Sequence, residues 1–478
     1  MGIFDIRFIE AERTSENVYK ETKREIDTFA KDQNNTLEIQ KLKQALAEDM
    51  KKLLEPALTA MSNLFENENN EIGLRNGNVS IFQNMRPTVS IADAYVTDVK
   101  DTNGDFVVPL GHNGLGYNNL INIYMLIKLK ELRKGKDFRI LCLEEPEAHL
   151  HPAMQYKLFK FLRNLDEENK LNQQIFVTTH SSNISAVAGI DNMYMLDYSR
   201  GKDSNCRQQS LEEHFSTKQD AKRHLTKFLD VTRSDMLFAD RVILVEGIAE
   251  KLLLPLFMNR CGYSYEDGHI SIVEIGGKHF EHFIELFNGN AVNKKVLCIT
   301  DKDFSWINEA YGTSALLLRS EYDTHETPHI KKLNERFEEM SNLQIVSQTL
   351  GGTTFEDELL LANFENYESV KDLLKITVSQ TVIEFIDKNE IDLSKWKDTV
   401  LCKTKKIVEF AKQGIETAVV NDSANADFYK KLFFGILFRA YAEGKKGDVA
   451  LSILTSETLA NNIIVPPYIK EGLEWLEK

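Results

Sequence analysis

Seven short apolar segments punctuate this chain, most followed by a stretch of helical period: FRILCL at 138–143, IFVTT at 175–179, MYML at 193–196, RVILV at 241–245, ISIVEI at 270–275, KVLCIT at 295–300 and LQIVS at 343–347. A strand that is apolar at nearly every position is buried on both faces, and helices between parallel strands supply that cover. The series therefore predicts an α/β fold built on parallel sheet. Its alternation breaks over 199–238, which is polar and helical in pattern, and restarts with RVILV. Three segments are expected: a first domain over 1–200, a linker over 201–238 and a second domain over 239–478.

Around this series the pattern changes. Residues 15–66 are polar, with Leu42, Leu46, Met50, Leu53, Ala57, Met61 and Leu64 recurring at steps of three or four. That spacing predicts an amphipathic helix whose apolar stripe is a core or dimer face, kinked at Pro56. Between 72 and 110, short alternating runs with Asn-Gly at 76–77 and 103–104 predict strands and hairpins. A helix is expected over 118–133, and a mostly helical tail from about 365 is expected to pack on the second sheet or extend beyond it.

Composition narrows the function classes. No apolar run approaches the roughly 20 residues of a membrane span, and the opening MGIFDIRFIEAERTSE has no apolar core of a secretory signal. A cytoplasmic protein is expected. The cysteines at 142, 206, 261, 298 and 402 have no metal-ligand spacing and read as packing thiols. A net charge of -15, from 73 acidic against 58 basic residues, excludes a protein that coats nucleic acid through a global positive field. It leaves room for a local, metal-bridged contact with phosphate.

The first domain carries three motifs in order. Gly111-His-Asn-Gly-Leu-Gly-Tyr-Asn-Asn-Leu120 is a glycine-rich loop leading into a helix, suited to holding phosphate on backbone N–H groups. Glu144 and Glu145 follow an apolar strand at the point where open α/β sheets present ligand-binding groups, and a Mg-nucleotide needs one acid for the metal and another to orient water. The next strand ends in Thr178-Thr179-His180-Ser181. A Glu-Glu pair can be a solvated edge and a lone histidine is usually structural, but the ordered set resembles the ABC-type ATPases of the SMC, RecF and OLD group. By that resemblance Gly114 and Gly116 lie in the signature loop, 140–145 is Walker B with Glu144 serving magnesium and Glu145 the attacking water, 146–152 is the D-loop, and His180 is the switch histidine.

The sequence contains no GxxxxGK[ST]: after Gly-Lys at 135, 201, 277 and 444 comes Asp, Asp, His or Lys. In the resembled family the P-loop precedes all these motifs. The sequence is thus expected to begin partway through the ATPase fold, with the P-loop lost, supplied by another polypeptide or dispensed with. ATP is expected as a cofactor only where a P-loop is supplied.

The second domain offers carboxylates at strand ends. Glu246 closes RVILV, Glu250 follows four residues later, and KVLCIT delivers Asp301-Lys302-Asp303. Any one of these acids can be a surface turn or a helix-start glutamate favoured by the helix dipole. As a set on consecutive strands they can hold one or two hard divalent ions such as Mg or Mn, about 4 Å apart in two-metal phosphodiester chemistry. The set resembles a Toprim domain, with Glu246 as its first acid and Asp301 and Asp303 as its DxD pair.

An ABC module followed by Toprim is similar to the OLD (overcoming lysogenization defect) family, which includes Gabija-type antiphage nucleases. Ile275-Gly-Gly-Lys278, Thr354-Phe-Glu-Asp-Glu358, Gly444-Lys-Lys-Gly-Asp-Val-Ala450 and Val465-Pro-Pro-Tyr-Ile469 fit the same group. The resemblance implies that Glu356 and Glu358 complete the metal site and that Lys446, or alternatively Lys445, assists the scissile phosphate. Lys278 is a phosphate contact or a turn before a helix. The fold implied is a partial ABC-type ATPase domain with a helical insertion, followed by a Toprim domain with a helical C-terminal part. The activity implied is a metal-dependent DNA endonuclease or nickase, nucleotide-regulated and active in antiphage defence. DNA, a homodimer or higher homo-oligomer and a helicase-like subunit are the implied partners. A noncatalytic assembly or regulatory subunit is the alternative; a topoisomerase or primase would need a tyrosine-bearing or zinc module for which the chain has no evident room.

Overall fold

The computed structural model describes residues 4–9, 36–66, 79–85, 95–101, 106–109, 138–167, 174–198, 206–290, 292–308, 315–377 and 414–478, with positions 114, 116, 120, 121, 123 and 124. The chain divides into two compact units, Met1–Gly189 and Ile190–Lys478. Among the described residues no helix is long and apolar enough to cross a membrane.

In the first unit, β1 (Phe4–Ile9), β5 (Phe138–Glu144) and β6 (Gln174–Thr178) form a parallel sheet with β5 in the centre. A separate antiparallel sheet comprises β2 (Val79–Met85), β3 (Tyr95–Asp101) and β4 (Val107–Pro109), in line with the hairpins expected over 72–110. The Asn-Gly pairs themselves lie outside the described residues, as do 15–35 and most of 118–133. Helix α1 (Thr36–Glu66) runs without interruption through Pro56. Leu141, Leu143, Leu120, Tyr124, Leu158 and Phe161 build the core beneath α2 (Pro152–Glu167) and α3 (Ser182–Ala188).

The second unit is organised by a four-stranded parallel sheet in the order β10-β9-β11-β14, comprising Ile270–Glu274, Arg241–Val245, Lys295–Ile299 and Leu343–Val346, with a short antiparallel pair, β12 (Ile307–Asn308) and β13 (Ala315–Leu316), between β11 and β14 in the chain. Successive strand residues point to opposite faces. Ile243, Val245, Leu297 and Ile299 enter one core with helices α5 (Ile248–Cys261), α8 (Phe355–Ala362) and α9 (Ala426–Ala442). Val242, Leu244, Val296 and Cys298 enter the other, with α4 (Gln219–Phe228), α6 (Phe280–Ile284) and α7 (Pro328–Arg336). Burial on both faces is the physical reason these strands lack polar alternation. Of the helical tail, α10 (Lys446–Thr455) and α11 (Pro467–Glu477) close the first core. Gly472 lets α11 approach the sheet: a Cβ there would sit 2.8 Å from a Leu297 methyl.

Two expectations are corrected here. MYML does not join the parallel sheet of the first unit; it lies in β7 (Tyr194–Tyr198), antiparallel to β8 (Cys206–Ser210), in the second unit. The segment expected to be a linker over 201–238 is, where described, structural: Leu211, Phe215, Ala221, Leu225, Leu229, Met236 and Leu237 are buried against the second sheet. Its apolar residues are sparse enough to read as solvated, yet α4 sets Ala221 and Leu225 on one face and the turns on either side of it carry the rest inward.

Candidate metal centre

Parallel register sets the site. Val245 pairs with Ile299, and Ile299 with Val346, so β9, β11 and β14 end at one level. The residues just beyond these ends are Glu246, Thr300-Asp301 and Gln348. The Asp301 N–H donates to Glu246 Oε2 at 3.3 Å, and the Thr300 hydroxyl reaches the same oxygen at 3.4 Å. Helix α5 follows β9 directly and carries Glu250 in its first turn. The first turn of α8 brings Glu356, whose Oε1 lies 3.0 Å from Lys446 Nζ at the start of α10, while its Oε2 accepts from the Thr354 hydroxyl at 2.7 Å.

The electrostatics show how closely these groups crowd. Burial, and then the charges of Glu356 and Glu246, push the Glu250 carboxyl up to about 7. Asp301 is held well above the carboxylate range by burial first and by Glu250, Glu246 and Glu356 next. Burial by itself would lower the Lys446 ammonium, but Glu356, Asp301 and Glu250 outweigh it and keep it charged. Glu250 Oε2 is buried with no hydrogen-bond partner among the described residues.

Asp303 sits on the rim, exposed and at φ 52°, ion-paired with Lys278. Its N–H donates to the Thr353 carbonyl at 2.9 Å, which ties the DxD turn to the loop before α8. His329 borders this rim; burial and the Lys278 charge lower its pKa.

The acids of Thr354-Phe-Glu-Asp-Glu358 divide into different tasks. Glu356 enters the cluster. Glu358 does not: its Oε1 accepts from the Thr349 and Leu350 N–H groups and its Oε2 from the Gly352 N–H, all at 2.7 Å. Expected as a metal ligand, Glu358 is instead engaged at both oxygens in closing the 349–352 loop. Asp357 caps α8 through the Thr353 and Thr354 N–H groups and pairs with Arg439 at 3.3 Å. Of the two candidate lysines, Lys446 faces the cluster and Lys445 is exposed.

In the first unit, β5 ends in Glu144, which is exposed, and Glu145, at φ 39°. The Glu145 N–H donates to the Thr178 carbonyl at 2.9 Å, and its Oε1 lies 3.7 Å from His180 Nε2. Glu147, given no individual role by the sequence, accepts at Oε1 from the Thr179 hydroxyl at 2.6 Å and from the His180 N–H at 2.9 Å. Gly116 abuts the next turn so closely that a Cβ would stand 2.4 Å from the His149 carbonyl oxygen, whereas Gly114 has open space around it. Gly116, the Glu pair, the following turn and His180 thus lie at one end of the sheet.

Comparison with known proteins matches residues 3–185 to an AAA ATPase domain and residues 237–303 to the TOPRIM domain of overcoming-lysogenization-defect-like proteins. The chain thus carries an AAA ATPase domain followed by an OLD-like TOPRIM domain. It is 26% identical over 415 residues to "Endonuclease GajA" of Bacillus cereus (strain HuB5-5), covering 78% of this chain and 54% of that protein. The "OLD nuclease" of Thermus scotoductus is 25% identical over 210 residues, 43% of this chain and 38% of that one. The "Old nuclease" of Escherichia phage P2 is 25% identical over 281 residues, 55% and 42% respectively. The chain spans about half the length, or less, of these curated relatives.

The residues of this site fit divalent cations. Among the described residues, five carboxylates, Glu246, Glu250, Asp301, Glu356 and the rim Asp303, face the ammonium groups of Lys446 and Lys278, and an unpartnered buried carboxylate oxygen is costly without a cation. Oxygen donors of this kind suit Mg or Mn. Sequence reasoning missed Gln348, which donates to Asp301 Oδ1 at 2.7 Å and accepts from the Lys302 N–H at 2.5 Å, with the Tyr468 hydroxyl 3.5 Å away. Its place just beyond LQIVS, level with Glu246 and Asp301, was the available signal.

Proposed function

We propose that this chain is a metal-dependent DNA endonuclease or nickase whose reaction centre is the carboxylate cluster of the second unit. The observation that carries the reading is the meeting of Glu246, Glu250, Asp301 and Glu356 beyond neighbouring strand ends, with Lys446 paired to Glu356 and Glu250 Oε2 unpartnered. Relatives named as nucleases support the same chemistry.

In this reading Glu246, Glu250, Asp301, Asp303 and Glu356 hold Mg2+ or Mn2+. Bound there, divalent ions supply a nucleophile at neutral pH and a Lewis acid for the phosphate oxygens. Gln348 fixes the Asp301 carboxylate, and Thr300 with the Asp301 N–H fixes Glu246, so the donors are positioned before the substrate arrives. Lys446, a positioned cation, stabilises the charge that develops on the phosphate. Lys278, ion-paired with Asp303 on the rim, would offer its ammonium to the DNA phosphate once Asp303 serves a cation.

In the first unit, Glu144 and Glu145 with His180, Gly114 and Gly116 are read as the part of a nucleotide site that gates the nuclease and assembles a homo-oligomer, given a P-loop. Antiphage defence beside a helicase-like partner completes the proposal.

The test is cleavage of supercoiled plasmid by the purified chain with Mg2+ or Mn2+. Nicking or linearisation abolished by EDTA and by Asp301→Asn supports the proposal. A folded protein that cleaves equally well after Asp301→Asn, or never cleaves with either metal, contradicts it and favours an assembly subunit.

A further inference from the structure

Three histidines of the second unit gather away from the carboxylates. The turn Gly276-Gly277-Lys278 leads from β10 into α6, with His279 at its N-cap and His282 one turn on. Residues three apart share a helix face. His224 projects from α4, which packs on α6 through the same core. One ring nitrogen from each of His224, His279 and His282 lies within 4.8 Å of the other two.

Packing alone does not account for this arrangement. The His224 and His282 rings stack at 4.0 Å and 12°, with His279 5.3 Å from His224. Nδ1 of both His224 and His282 is buried without a hydrogen-bond partner among the described residues. Buried polar atoms in folded proteins are nearly always partnered, and two unpartnered imidazole nitrogens beside a third imidazole are what a shared ligand would satisfy.

We propose that His224, His279 and His282 form a second metal site, selective for zinc or a similar imidazole-preferring transition metal, which ties α4 to α6. Three imidazoles and one water or exogenous donor satisfy the four-coordinate preference of Zn2+. Placing all three lone pairs on one ion at the common Zn–N distance of about 2.0–2.1 Å requires the His224 and His282 rings to turn out of their stack, with the exposed His279 closing on them. Hard Mg2+ remains with the carboxylates. The site is independent of the nuclease reading.

The experiment titrates the EDTA-stripped full chain with Co2+ in excess Mg2+, which occupies the carboxylates, and then displaces Co2+ with Zn2+. The expected result is the visible absorption of four-coordinate cobalt at about one ion per chain, unchanged in Asp301→Asn. In His279→Ala, which removes an exposed ring and spares the core, affinity falls by at least the ~100-fold seen for losing an outer-shell partner. His282→Ala behaves alike. No cobalt absorption in the wild type, the same affinity in His279→Ala, or loss in Asp301→Asn with retention in His279→Ala overturns the site.

Discussion

Replacing Glu250 by Gln keeps the side chain's shape while removing one buried charge from the cluster. The Glu250 carboxyl is raised from an ordinary 4.5 to about 7, so between those values the folded chain holds a proton that the unfolded chain releases. Stability of the metal-free protein therefore falls as pH rises through that window and levels off above it. At about 1.36 kcal/mol per pH unit, the cost at pH 8 is on the order of 3 kcal/mol. In urea unfolding with EDTA, Glu250→Gln is expected to be more stable than wild type at pH 8 by up to that amount, with the difference vanishing towards pH 4.5. A shallower slope persists because Asp301 is also raised. Adding Mg2+ or Mn2+ reverses the order, since the wild type gains binding energy that the variant lacks. A variant no more stable than wild type at pH 8 in EDTA, or one with the same pH slope, refutes the claim that Glu250 is buried against like charges.

Glu358→Ala leaves three amides of the 349–352 loop without their acceptor, and a loss of about 3 kcal/mol or more is expected by urea unfolding. Lys446→Met is expected to lower plasmid cleavage by about 10²–10³ while Mn2+ binding, followed by its EPR signal, is retained; equal loss of both would remove Lys446 from the reaction. Burial would raise the Glu285 carboxyl, but hydrogen bonds from Lys218 and Arg336, each at 2.7 Å, outweigh it and hold it below the usual range. Glu285→Gln should cost about 2–3 kcal/mol at neutral pH, less than a fully buried pair because both cations are partly exposed. That gap narrows as pH falls below 4.5 through the lowered value, which acid-titrated unfolding reads directly.

Much of this architecture was legible because unbroken apolar strands can be satisfied only by cover on both faces. The strand ends then located Glu246 and Asp301. Residues whose role depends on direction were harder to read. Glu356 and Glu358 are two apart on one helix and chemically alike, yet one faces Lys446 and the other is taken up by loop amides, a difference set by the 349–352 turn. The segment 211–237 is polar in sum, so its buried residues emerge only when α4 is packed. His224 lies 55 residues before His279 and became its neighbour through the packing of two short helices, with no sequence spacing to announce it.

The account stands on metal binding at the carboxylate cluster, and anomalous diffraction from crystals grown with Mn2+ tests it most directly. Manganese is predicted among Glu246, Glu250, Asp301 and Glu356, with Glu250 Oε2 among its donors and no manganese at Glu358. Strong anomalous density elsewhere, with the cluster empty and Lys446 still paired to Glu356, would contradict it.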